Sequence, residues 1–239
     1  MEHRYPISAA IVGVCLVLGL GLLGQQIGSA AIAFKQLERS VKVKGLSEQE
    51  VQANIVIWPI EFSAANNQLE GLYQGLDKQT EMITAFLLLN GITAAEITVS
   101  SPAITDKSAQ QYGNTGAAPF RFTALQTVTV YSNNIDGVRA VMGKLSQLGK
   151  QGIVFTGGGY QARTEYLFTQ LNDIKPKMIE QATRKAREVA EKFAADSQSQ
   201  LGKIKRAAQG QFSINARDNN NPHIKKVRVV ATIEYYLSD

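Results

Sequence analysis

The chain has 239 residues, enough for one large or two small domains, and its 44% apolar content supports a sizeable core rather than disorder. Its 25 basic and 20 acidic residues leave a modest net charge of +5 and a pI near 9.2, too weak an excess to identify a polyanion-binding protein by itself. One cysteine, Cys15, and two histidines, His3 and His223, exclude an intrachain disulfide and any His-based metal cluster or acid–base pair.

The first 35 residues form a separate segment. From Ile7 to Leu23 every residue except Ser8 is apolar, small or glycine, and the run continues through Gln25 and Gln26 to Phe34. A spanning helix takes about 20 apolar residues and the core of a cleaved signal peptide about 7 to 15, so length favours one N-terminal transmembrane helix. Ser29-Ala30-Ala31 and Ala31-Ile32-Ala33 fit a signal peptidase site, which keeps cleavage open as the alternative. Val14 stands where a lipobox requires a small residue, so Cys15 is not read as a lipidation site. Gly21, Gly24 and Gly28 recur three and four residues apart beside Gln25 and Gln26, a spacing that lets helix backbones approach and amides pair across an interface. These five residues are the candidate helix-packing site.

Residues 36–239 read as one α+β domain. Val41-Lys42-Val43-Lys44 alternates as a strand that Gly45 interrupts, and Gln49 to Phe62 is a second strand in which Pro59 marks an edge or bulge. Leu69, Leu72, Tyr73, Leu76, Ile83, Phe86 and Leu87 predict an amphipathic helix stopped by Asn90-Gly91. Glu96 to Thr105 and Phe120 to Asn133 follow as strands joined by a polar hairpin loop, Asp106 to Ala118. Asn134 caps a helix over Ile135 to Leu148, and Gly152 to Phe168 is a strand whose Gly157-Gly158-Gly159 is read as a bulge or turn, since no lysine follows as a phosphate loop demands.

Asp173 caps the longest helix, which runs to Ser199 with Pro176 in its first turn and Met178, Ala182, Ala186, Val189, Ala190 and Phe193 as its inward stripe. Lys203 to Ala216 and Val227 to Leu237 close the chain as a hairpin around the turn Arg217 to Pro222. The order β-β-α-β-β-α-β-α-β-β implies an antiparallel sheet with helices packed on it.

Functional signals are sparse. Ser100-Ser101 lacks a nucleophile elbow, and Glu48, Glu50, Asp77, Glu81, Glu180, Glu188 and Glu191 are scattered over strand ends and helix faces. No catalytic, cofactor-binding or metal site is expected, and no small-molecule substrate or nucleic acid is implied. Residues 173 to 239 hold 13 Lys or Arg against 8 Asp or Glu, while residues 34 to 172 hold 11 of each, so the basic excess is C-terminal.

Several stretches together resemble the SIMPL-domain family: Ser40-Val41-Lys42-Val43-Lys44-Gly45, Asn90-Gly91-Ile92 with Ile97-Thr98-Val99, Asp136-Gly137-Val138, Leu171 to Met178, the alanine-rich Ala182 to Ala195, and Leu201-Gly202-Lys203-Ile204. The resemblance covers residues 39 to 237 and implies an exported α+β domain, assembly into oligomers that are ring-like or channel-like in at least one relative, and no established reaction. Many relatives carry a Pro-Asp pair near the second strand where this chain has Val56-Ile57-Trp58-Pro59-Ile60, which marks it as a divergent, membrane-tethered branch. The expectation is a single-pass protein of the bacterial inner membrane with its domain in the periplasm, or a periplasmic protein after cleavage. Its function is expected to be that of a non-enzymatic homo-oligomeric scaffold or stress-protective assembly. The alternative is a binding module that engages anionic lipid or an envelope polymer through its basic C-terminal region.

Overall fold

A computed structural model describes residues 5–37, 39–109, 119–156 and 163–238. An apolar helix, α1 (Tyr5–Leu37), is followed by strands β1 (Ser40–Gln52) and β2 (Ile55–Asn66), helix α2 (Leu69–Leu89), and strands β3 (Ile97–Val99), β4 (Ala103–Asp106) and β5 (Phe122–Ser132). Then come helices α3 (Ile135–Met142) and α4 (Ser146–Gly149), strands β6 (Val154–Phe155) and β7 (Glu165–Leu167), helix α5 (Leu171–Asp196), and strands β8 (Gln200–Gln209), β9 (Ser213–Ala216) and β10 (Ile224–Ser238). The fold is α+β with antiparallel sheets and packed helices, as the element pattern predicts.

The chain divides into two compact units, one of residues 1–48, 175–213 and 228–239, the other of residues 49–174 and 214–227. In the second unit a six-stranded sheet has the order β3-β5-β2-β6, with β4 also on β5 and β7 also on β2. Even-numbered residues of β2 (Val56, Trp58, Ile60, Phe62) and of β5 (Ala124, Val128, Val130) are buried, and Leu72, Leu76, Ile83 and Leu87 of α2 complete the core against them. Period two on the strands and mixed three- and four-residue steps on the helix put these residues on facing surfaces. Pro59 faces Thr129 across the ladder with β5, and β2 pairs with β7 only at Ile55–Ile57 and with β6 only at Phe62–Ser63. Its missing N–H therefore falls in the interval between those two short partners, the edge-like position that proline tolerates.

Three helix ends close by the same device. Ile92 N–H donates to Leu87 O and Gly91 N–H to Leu88 O, with Gly91 at φ +89. Ile153 and Gly152 repeat this pattern on Leu148 and Gly149, and Ser199 and Gln198 repeat it on Ala194 and Ala195. This is the Schellman cap, which needs a left-handed residue. Gly91 and Gly152 supply it without a Cβ penalty, whereas α5 uses Gln198 at φ +53. Gln198→Gly is expected to raise stability by about 0.5–1 kcal/mol in urea unfolding, with m unchanged.

In the first unit the four-stranded sheet has the order β1-β10-β8, with β9 also pairing β10. Met178, Ala182, Ala186, Ala190 and Ala194 of α5 are buried with Val43, Val229, Ala231, Ile233 and Tyr235 of the sheet. Gly45 lies within β1 and does not interrupt it: the Ala182 carbonyl and Ala186 amide of α5 occupy the space a Cβ would need. Beside it the buried Ser47 hydroxyl donates to Gln181 Oε1 at 2.9 Å.

Other expectations are corrected in detail. Val189 and Phe193 are exposed because the buried row runs through alanines four residues apart, ending at Ala194. Helix α5 begins at Leu171, so Asp173 sits inside its first turn and Pro176 in the second. Residues 135–148 form two helices; Asn134 Oδ1 accepts Gly137 N–H at 3.0 Å and caps only the first. Glu96–Thr105 divides into a 3-10 turn at Ala94–Glu96 followed by β3 and β4. Residues 203–216 divide into β8 and β9, and the described parts of the 152–168 segment hold the short strands β6 and β7. Gly157, Gly158 and Gly159, and most of the Asp106–Ala118 loop, lie outside the described residues.

Candidate membrane anchor and interaction surfaces

Helix α1 contains a 22-residue apolar stretch, Ala9–Ala30, of mean hydropathy 2.0. At 1.5 Å per residue that is about 33 Å, the thickness of a bilayer's hydrocarbon core. Its described side chains are exposed, so a helix that water would not tolerate bare has no covering within the unit. One helix of this kind at an N-terminus suits an anchor or a signal sequence.

With about 100° between successive residues, Gly21, Gly24 and Gly28 share one narrow face of α1 and Gln25 flanks it, while Gln26 points to the opposite side. No atom outside the helix lies within 4 Å of the Cβ positions of these three glycines. The structure thus gathers four of the five candidate packing residues and separates Gln26 from them. Ser29 Oγ donates to Gln26 O at 3.0 Å, which keeps that hydroxyl satisfied within the helix.

The sheet of the first unit has one face under α5 and one outward face. On β1 the outward positions include Ser40, Lys42 and Lys44, alternating with Val41, Val43 and Gly45. On β10 they are Thr232, Glu234 and Tyr236, alternating with buried Ile233 and Tyr235. Strand β8 departs from alternation. Glu234 lies opposite Arg206, Tyr235 opposite Ile204 and Leu237 opposite Leu201, with register shifts between them. Each shift is a bulge that sets two residues of β8 against one of β10. Leu201 and Ile204 can then both share the inward side, although they are three residues apart. Lys203, Lys205 and Arg206 fall on the outward side with Glu234 and Tyr236.

The side-chain contacts agree: Lys205 Nζ is 3.2 Å from Glu234 Oε1 and 5.6 Å from the centre of the Tyr236 ring. Ser40 Oγ donates to Glu234 Oε1 at 2.6 Å. That hydrogen bond, then Lys205 and Lys42, hold the Glu234 carboxyl below its ordinary pKa, so it is ionised. This end of the face gathers five cations (Lys42, Lys44, Lys203, Lys205, Arg206) around the carboxylate of Glu234, and further along the same face Arg228 pairs with Glu48 at 3.4 Å. Sequence reading placed the basic excess in the C-terminal third but missed both its partners on β1 and the bulges that assemble it.

In the second unit the face of the six-stranded sheet opposite α2 carries a hollow of about 370 Å³ lined by small side chains including Ser63, Ala65, Ala103, Thr105 and Thr123. Nothing in that lining titrates. At a corner of the unit, His223 packs against the ring of Tyr166 with centroids 6.0 Å apart, and Arg217 bonds Asp218 at 2.8 Å and reaches Glu50 at 3.7 Å. Burial, then Arg139, lowers the His223 pKa, whereas Arg217 first holds Asp218 at about 2. Among the described residues no group of three or more His, Cys, Asp or Glu side chains could hold a metal ion.

Both shifts act in one direction on stability. His223 prefers the neutral form in the fold, a contribution present above its ordinary 6.5 and lost as pH falls below it. Asp218 prefers the ionised form, a contribution present above 3.8 and lost as pH falls toward 2. Thermal melting is therefore expected to decline first below pH 6.5 and again below pH 4, and His223→Gln is expected to flatten the first decline alone.

Residues 41–233 match the SIMPL family, described as proteins of unknown function (DUF541). No curated protein matches the chain. The matched region starts just beyond α1 and includes the six-stranded sheet, the Gly45 contact with α5, all of β8 and β10 as far as Ile233. On this extent of match, the chain belongs to the SIMPL family.

Proposed function

We propose that the chain is a membrane-anchored protein of the bacterial cell envelope whose SIMPL domain, held in the periplasm, acts in a non-enzymatic homo-oligomeric scaffold or protective assembly. The observation that carries this reading is α1, an exposed apolar helix of spanning length with three glycines on one face, directly followed by the folded domain. Glycines let helices come close, and Gln25 beside them can pair across the contact for about 0.6 kcal/mol per amide, so many weak contacts sum only when the domains also associate.

Light scattering of the full chain in mild detergent tests the assembly. The wild type is expected to be several chains in mass, and Gly24→Leu with Gly28→Leu to reduce that mass or lower the detergent concentration at which it dissociates. A monomeric wild type, or a double variant of unchanged mass and stability, overturns the helix-packing reading. Intact mass of the membrane-extracted chain distinguishes an anchor, with residues 1–35 retained, from a cleaved signal sequence.

A further inference from the structure

We infer that the outward face formed by Lys42, Lys44, Lys203, Lys205 and Arg206 docks onto the anionic headgroups of the membrane in which α1 is anchored. The inference rests on the anchor reading of α1 and adds a second membrane contact, made by the folded domain. Three observations carry it.

The first is reach. Helix α1 ends at Leu37 and β1 begins at Ser40, so Lys42 is five residues from the end of the helix, at most about 18 Å of extended chain. The β8 cations lie two strands across the sheet from β1, about 10 Å away. The tether therefore keeps the whole cluster near the bilayer surface, where a headgroup is present at high effective concentration and a soluble polymer is not.

The second is charge. Glu234, the carboxylate among these outward positions, is already engaged by Ser40 and Lys205, and Glu48, further along β1, contacts Arg228 at 3.4 Å. The remaining cations present unneutralised charge to an anionic partner. Each Lys or Arg held close to an anionic lipid surface multiplies affinity about five-fold.

The third is construction. Alternation carried on from outward Arg206 would turn Lys205 and Lys203 toward the helix and Ile204 away from it; the bulge at Lys205 reverses this and leaves both lysines outward with Arg206. Ladder regularity is given up twice in ten residues, and the result is three cations on one face beside Tyr236, an amphipathic ring suited to the headgroup level.

The test places the full chain in nanodiscs of phosphatidylcholine alone or mixed with phosphatidylglycerol and follows amide hydrogen exchange across β8. Exchange there is expected to slow by about ten-fold or more in the anionic discs relative to the neutral ones, and to return to the neutral-disc rate in high salt. Lys203→Gln, Lys205→Gln and Arg206→Gln combined should abolish the difference, whereas Lys203→Arg with Lys205→Arg should keep it. A chain that co-elutes with both discs and exchanges alike in them overturns the headgroup assignment while leaving the anchor intact. Protection by soluble polyphosphate in neutral discs, with none from phosphatidylglycerol, also overturns it and points to an envelope polymer. A chain that does not co-elute with discs overturns the anchor reading and this inference together.

Discussion

Gly45→Ala is expected to lower the melting temperature of the unit containing α5 by about 5–10 °C, the largest effect of an added methyl among the described glycines. The added carbon would lie 2.5 Å from the Ala186 amide nitrogen and 2.9 Å from its Cβ, and would also run into the Ala182 carbonyl oxygen. Backbone atoms of a helix cannot step aside as the end of a long side chain does, so α5 would have to lift from the sheet and open the alanine row Ala182, Ala186, Ala190 and Ala194. Overpacking of this kind typically costs about 1–3 kcal/mol, and backbone contacts place this site at the upper end. Gly75→Ala is the control: it lies within α2 with nothing inside 4 Å, so the same methyl should stabilise by about 0.5–1 kcal/mol. A Gly45→Ala variant that melts with the wild type would show that α5 does not hold the sheet as closely as described.

Removing residues 1–35 is expected to leave a protein that stays in the supernatant and unfolds cooperatively. Every buried apolar residue described lies between Val43 and Tyr235, and the described side chains of α1 contribute none. The described part of the helix therefore adds nothing to the buried core, and its loss should leave the far-ultraviolet spectrum of residues 36–239 that of a folded α+β protein. Aggregation of the shortened chain without a cooperative transition would count against residues 36–239 as a self-sufficient domain.

What could be read from the sequence follows a physical line. Helix α2 was legible because apolar residues recur over six turns and Asn90-Gly91 closes them, and Asn134 as a cap because its chemistry is local. Pro59 was legible as a ladder defect because it lacks a donor wherever it sits. Features set by a distant segment were not. Gly45 looks like a strand breaker until the alanines 137 and 141 residues later are laid over it. Phe193 looks like a core residue because it is apolar and near the row, yet it is 55% exposed: closeness to the sheet there depends on alanine, and a larger ring stays outside.

The candidate surfaces divide in the same way. Gly21, Gly24 and Gly28 share a helix face by spacing alone, whereas the cationic face needed the pairing of β8 with β10 before its members could be identified. Leu201 and Ile204 are three apart, a step that does not fit a regular strand, and only the bulge between them reconciles it.

The same bulges bear on solubility. Strand β8 borders its sheet along ten residues, nearly all exposed, and an edge of that length offers unpaired N–H and C=O groups to any other extended chain. Two register shifts make that edge a poor template, because a straight incoming strand can match only a few consecutive groups before falling out of step. Lysines on the strand add repulsion between like edges. At high local concentration, copies of this chain are thereby kept from zipping together through β8.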